Sequence, residues 1–277
     1  MKKILLMITI ILCNYVNVQS QNTKLIQPYP IFKSCIDAKN QSDCFDQTVI
    51  DHIFPTTFKE DVLSTLIEGN STDKSTTFSI SFIINENGRP INKSIEVSVK
   101  NLIIYEPKIY EAILNLPKIL PAKNEYGYPF LRIYQLHVDF EVNSEGQLVL
   151  SEYYQESEIF SNNPNLKAPI YPGCSESMTN KELKKCFSKK MTQLIIKDYN
   201  YSKAIKGFKK RGTFYTYVMF KVNKEGVLGS FKSFGPNKKF EKEAVKSLNK
   251  AEKLVPGYEG ERAVNVTFGI PLKSKIQ

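Results

Sequence analysis

The chain has no tryptophan and only two histidines, His52 and His137, among its 277 residues. So few imidazoles leave little room for histidine-ligated metals or histidine-based catalytic dyads. His52 follows Asp51 on an apolar helical segment and His137 lies on an alternating strand, so both read as structural residues. Other absences narrow the chemistry further. There is no Gly-x-Gly-x-x-Gly, no phosphate-binding loop, no His-Glu-x-x-His and no Gly-x-Ser-x-Gly. Glu241 and Glu243 stand two apart on a predicted helix and point to different faces, which separates them as an acid–base pair. The expectation is a protein that is not an enzyme and carries no cofactor. Beyond the first twenty residues no apolar run approaches the ~20 residues a bilayer requires.

What is present supports folded cores. Hydrophobic residues make up 42% of the chain, with 17 Phe and 15 Tyr, and the length suggests two domains. The first twenty residues read as a secretory signal: Lys2 and Lys3, the apolar Ile4–Leu12, then Val18-Gln19-Ser20 with cleavage before Gln21. The rival readings are a retained anchor helix, which Asn14 and Asn17 interrupt, and lipidation at Cys13, which Leu12 disfavours. Export implies an oxidising compartment, in the periplasm, the cell envelope or outside the cell. The four remaining cysteines, Cys35, Cys44, Cys174 and Cys186, form two short-range pairs and read as two local disulfides. The alternative is one zinc site shared by all four, although zinc knuckles favour a shorter Cys-x2–4-Cys spacing than either pair has.

Residues 21–160 and 161–277 read as a degenerate tandem repeat. Tyr29-Pro30, Cys35 and Cys44-Phe45 lead into apolar residues at helical spacing; Tyr171-Pro172-Gly173-Cys174 and Cys186-Phe187 repeat the order. Each predicted helix begins near its second cysteine. The alternating runs Phe78–Ile84 and Phe214–Val222 turn at Asn85-Glu86-Asn87-Gly88 and Asn223-Lys224-Glu225-Gly226, predicting two β-hairpins. Helices around Tyr110–Leu114 and Phe240–Leu248 follow, then closing strands over Leu131–Val142 and Ala263–Ile270. A third turn, Asn143-Ser144-Glu145-Gly146, predicts an extra edge strand on the first unit. The linker is placed at Glu158–Pro169. The fold class is therefore α+β: two tandem two-layer units, each a small antiparallel sheet with two helices in the order helix-strand-strand-helix-strand.

Charge separates the halves. Residues 21–160 hold 12 Lys/Arg and 19 Asp/Glu, whereas residues 161–277 hold 24 and 9. The densest run is Lys206–Arg211. Export and the lack of any helix-turn-helix or ribonucleoprotein signature argue against nucleic acid. The basic half reads as a solvated face, or as one attracted to the acidic half or to an anionic envelope surface.

Laid out this way, the second half resembles the TonB C-terminal domain family. The residues that carry the likeness are Tyr171–Cys174, Cys186-Phe187, Gly212, Phe220–Gly226, Glu243-Ala244, Pro256-Gly257 and Val264–Pro271, in the family's order. The first half fits the same plan more loosely. The family's energy transducers carry an N-terminal membrane helix and a long Pro-rich spacer, and many members have a Trp where this chain has Leu254-Val255. The resemblance implies a protein-binding module that captures a partner segment by strand addition, the partner being an outer-membrane transporter or another envelope protein. It places the contact on the closing strand, at Arg262, Ala263, Val264, Asn265, Val266, Thr267 and Phe268. Alternation turns Val264, Val266 and Phe268 towards the helices and Asn265 and Thr267 outwards, with Pro271 ending the strand and Arg262 and Lys273 steering an acidic peptide. The competing function is an envelope structural or assembly protein whose domains pair with each other or self-associate.

Overall fold

The computed structural model describes residues 28–68, 74–100, 102–154, 166–246 and 248–277. The predicted signal segment and most of the predicted linker lie outside the described residues. The protein is α+β, built from small antiparallel sheets and a few helices.

In the first half, β1 (Ile31–Phe32) precedes α1 (Gln41–Ile53), whose first turn is capped by the Asn40 side chain accepting from the backbone N–H groups of Ser42 and Asp43. Pro55 stops α1, and α2 (Thr56–Glu68) follows. This second helix was not foreseen. Its buried Phe58, Val62 and Leu66 are spaced four apart on one face. Next come β2 (Ser75–Ile84), β3 (Glu96–Val99), α3 (Glu106–Leu114), β4 (Ile119–Leu120), β5 (Arg132–Val142) and β6 (Leu148–Tyr154). The sheet order is β3-β2-β5-β6, with β6 as the extra edge strand, and β1 pairs separately with β4. One core joins the three helices to the inward residues of β2 and β5 around Phe54, Phe78 and Phe140.

The second half opens with β7 (Leu166–Lys167), then α4 (Asn180–Lys197), α5 (Tyr201–Ile205), β8 (Gly212–Val222), β9 (Leu228–Phe234) and α6 (Lys238–Val245). It closes with β10 (Gly257–Glu259), β11 (Arg262–Val264) and β12 (Val266–Ile276). The main sheet is β12-β8-β9, with β12 paired to β8 along its whole length. A second small sheet orders β11-β10-β7, so Leu166–Lys167 belongs to a sheet rather than to a linker. Helix α4 starts six residues before Cys186 because Thr179 and Glu182 form a reciprocal capping box. Phe187 stacks on Phe268 at 4.3 Å, fixing α4 against the inner face of β12.

The two turns read as repeats are also equivalent in space. Asn85 and Asn223 each accept two backbone N–H bonds through the side-chain oxygen, and Gly88 and Gly226 take φ of +73° and +80°. The carbonyl of each glycine accepts from a later residue, Ile119 N–H and Leu254 N–H respectively. Asn143–Gly146 forms the same turn, and so does Asn124-Glu125-Tyr126-Gly127, a fourth copy the repeat pattern did not single out.

The halves meet through the outer faces of their sheets. Ile83 and Leu131 from the first half pack on Tyr217 and Met219 of β8. Ala122 and Phe130 join Phe214, Phe240 and Ile276 in a further cluster. The fourth turn reaches across: the buried Asn124 donates through Nδ2 to the carbonyls of Arg211 (3.1 Å) and Thr213 (3.3 Å). Lys210–Glu86 and Lys232–Glu96 ion pairs join the basic half to the acidic one. The layers therefore run helices, sheet, sheet, helices.

Candidate functional site

The closing segment divides into two strands rather than the one expected. Arg262, Ala263 and Val264 form β11 and pair with Glu259, Tyr258 and Gly257. Asn265 bridges to β12, its side-chain oxygen accepting from the backbone N–H of Lys224. Val266 and Phe268 are buried in the second core, and Thr267 is half-buried on the opposite face. Pro271 does not end the strand; pairing with β8 continues to Ile276. An edge strand tolerates proline where its nitrogen faces away from the neighbour.

That geometry fixes which backbone groups are open. Since Pro271 has no N–H, its pair with Tyr217 must be one whose N–H and C=O groups point away from β8. Alternation gives the same outward direction to Thr267, Gly269, Lys273 and Lys275. Consistently, the carbonyl of Lys275 accepts from the Tyr201 hydroxyl at 2.7 Å. Among the described residues no strand pairs with this side of β12. Proline and exposed lysines are common devices for blunting an edge, so Pro271, Lys273 and Lys275 close its C-terminal part. The open portion is Val266–Ile270.

A cavity of about 330 Å³ lies between the sheets beside this portion. Gln135, His137, Ser79 and Ser81 line it from the first half, and Lys221, Asn265, Thr267 and Gly269 from the second. The stacking is ordered. Glu96 of β3 bonds Lys232 of β9 at 2.6 Å, Ile83 of β2 packs on β8, and Ile133 of β5 lies against Gly269 of β12. By that order β6 overhangs the place beside β12 that no described strand fills. A four-stranded sheet thus faces a three-stranded one.

The Ser79 hydroxyl lies 2.7 Å from His137 Nδ1 within the cavity wall. Burial, aided by the positive charge of Lys184, lowers the His137 pKa to about 4. Such an imidazole stays neutral at ordinary pH and is a weak base, far from the value suited to activating a serine. Glu243 and Glu241 also separate, as their spacing implies. Burial raises the Glu243 pKa, but hydrogen bonds from Lys246 and the Asn200 N–H, with Lys203 nearby, outweigh it and hold the carboxylate below its usual range. Glu241 bonds Lys238 and the Gly235 N–H instead. His52 bonds the carbonyl of Ala112 through Nε2. Cys35 is joined to Cys44 and Cys174 to Cys186, and among the described residues no group of His, Cys, Asp or Glu could hold a metal ion.

The sequence reading missed the cavity and Lys221. A signal for both existed in Tyr217-Val218-Met219-Phe220 and Phe82-Ile83-Ile84, since a strand apolar on both faces is covered on both. Both disulfides, and the absence among described residues of a helix long and apolar enough to cross a membrane, are compatible with an exported protein. When the chain was compared with protein-family models, with curated proteins and with solved structures, none of the three gave a match.

Proposed function

We propose that this is an exported, non-enzymatic binding module of the cell envelope that captures an extended segment of a partner protein by strand addition to β12. The observation that carries the reading is the open edge at Val266–Ile270, with outward backbone groups at Thr267 and Gly269 beside a polar cavity. In strand addition the main-chain bonds supply affinity and alternate side chains supply selectivity. The signal-like first twenty residues and the two disulfides support export to the periplasm or the cell envelope. The likeness of the second half to TonB C-terminal domains supports a role beside outer-membrane transport.

A second reading is favoured by the seam between the halves: an envelope assembly protein whose domains mainly pair with one another. The clusters around Tyr217 and Phe214 are what such a protein would need. Thr267→Pro and Thr267→Ala separate the readings. The proline variant deletes an outward N–H, whereas the alanine variant keeps it. Partner proteins captured from envelope extracts by wild type and by Thr267→Ala, but lost with a folded Thr267→Pro, favour strand capture. Equal capture by all three removes this edge as the binding surface.

A further inference from the structure

Resting on the strand-capture reading, we infer that the segment taken up at β12 is acidic, and that a Glu or Asp opposite Thr267 pairs with Lys221 across the strand. Lys221 is the register partner of Thr267 on β8, so their side chains stand next to each other on the cavity face. Strands lie about 4.8 Å apart, which puts an added residue opposite Thr267 roughly 10 Å from the Lys221 backbone. A lysine and a glutamate side chain together span that gap. Lys221 is exposed and, among the described residues, has no ion-pair partner. The acid in the same cavity, Glu96, is already bonded to Lys232 at 2.6 Å. Around the position stand hydroxyls and amides that can bond a carboxylate or its neighbours: Ser79, Gln135 and Asn265. The Ser81 hydroxyl is buried there without a hydrogen-bond partner among the described residues.

The same geometry argues against a second copy at this edge. The cavity-side residues of β12 are Thr267, Gly269, Pro271, Lys273 and Lys275, all neutral or basic. Self-pairing would set basic strands together and leave Lys221 unanswered. With Arg262 and Lys273 at the flanks, the field over the edge favours a negatively charged visitor.

Amide NMR of the signal-free chain at low salt tests this with two seven-residue peptides, one alternating Thr and Glu and its twin alternating Thr and Gln. The Glu peptide should shift the Thr267 and Gly269 amides and bind roughly twofold to fivefold more tightly than its twin. Lys221→Gln should remove most of that difference, the remainder coming from Arg262 and Lys273, without weakening the Gln peptide, and Lys221→Arg should keep it. Equal binding of both peptides at Thr267 and Gly269 overturns the acidic specificity and leaves strand capture standing. A preference that survives Lys221→Gln undiminished overturns the assignment to Lys221. Shifts by neither peptide overturn strand capture and the inference together. Sodium acetate reproducing the Glu-peptide shifts at equal concentration reduces the site to a simple anion pocket and also overturns the inference.

Discussion

Replacing Gly226 by alanine is expected to cost about 3–6 kcal/mol, whereas the same change at Gly146 should cost about 1–2. Both glycines occupy the last position of an Asn-x-x-Gly turn with nearly equal φ, +80° and +75°. An L-residue in that region costs about 1–2 kcal/mol by itself. At Gly146 nothing lies within 4 Å of the new methyl, so that is the whole effect. At Gly226 the methyl would stand 2.9 Å from the carbonyl carbon of Leu254 and overlap its oxygen. Relief requires moving Leu254, which is buried in the second core, and Val255, which is paired in both directions with Ile170. Overpacking of this kind costs about 1–3 kcal/mol. The bond from Leu254 N–H to the Gly226 carbonyl, 2.9 Å long, would contribute about one more when lost. Gly88 faces the carbonyl of Ile119 in the same way, and Gly127 is as open as Gly146. Urea unfolding followed by far-ultraviolet circular dichroism, suited to a chain without tryptophan, measures all four alanine variants. Values within 1 kcal/mol of one another would refute the view that Gly88 and Gly226 clamp the turns to the segments beyond them.

Asn124→Ala removes a buried side chain that bonds both halves, and should cost about 2–3 kcal/mol and speed proteolytic cleavage between them. Changing Cys174 and Cys186 together to serine should lower stability by up to about 3 kcal/mol under oxidising conditions and leave reduced protein unaffected by comparison. His137, its pKa lowered from 6.5 to about 4, is neutral in both folded and unfolded chains above pH 6.5. As pH falls from 6.5 to 4 the unfolded chain takes up a proton that the folded chain refuses, so stability should drop by up to roughly 3 kcal/mol across that window. His137→Gln should flatten that part of the profile, while losses below it, from carboxylates such as Glu243 whose pKa is lowered, remain.

Much of the architecture was legible because it rests on local chemistry. The hairpin turns announce themselves as Asn-x-x-Gly, and strict alternation from Val266 to Ile270 gives the buried face correctly. The two short cysteine spacings match the bonds observed. Less legible was anything set by a distant partner. Pro271 looks like a stop until one knows that its nitrogen faces away from β8. The start of α4 is an exception, since the Thr179–Glu182 capping box that sets it is local and lies ahead of Cys186. The division of Arg262–Val264 from β12 depends on a small three-stranded sheet whose far strand is Leu166–Lys167. The cavity, likewise, exists only where residues distant in sequence bring two sheets face to face.

The seam between the sheets also sets a timetable for folding. A chain delivered N-terminus first presents Ile83 and Leu131 long before Tyr217 and Met219 arrive to cover them. At ordinary synthesis speeds of about 5–20 residues per second the wait lasts several seconds. Throughout that interval the first half can complete its own core yet must display an uncovered apolar patch on the far side of its sheet. Whatever attends the chain as it emerges therefore has a defined surface to shield, and a defined moment at which to let go.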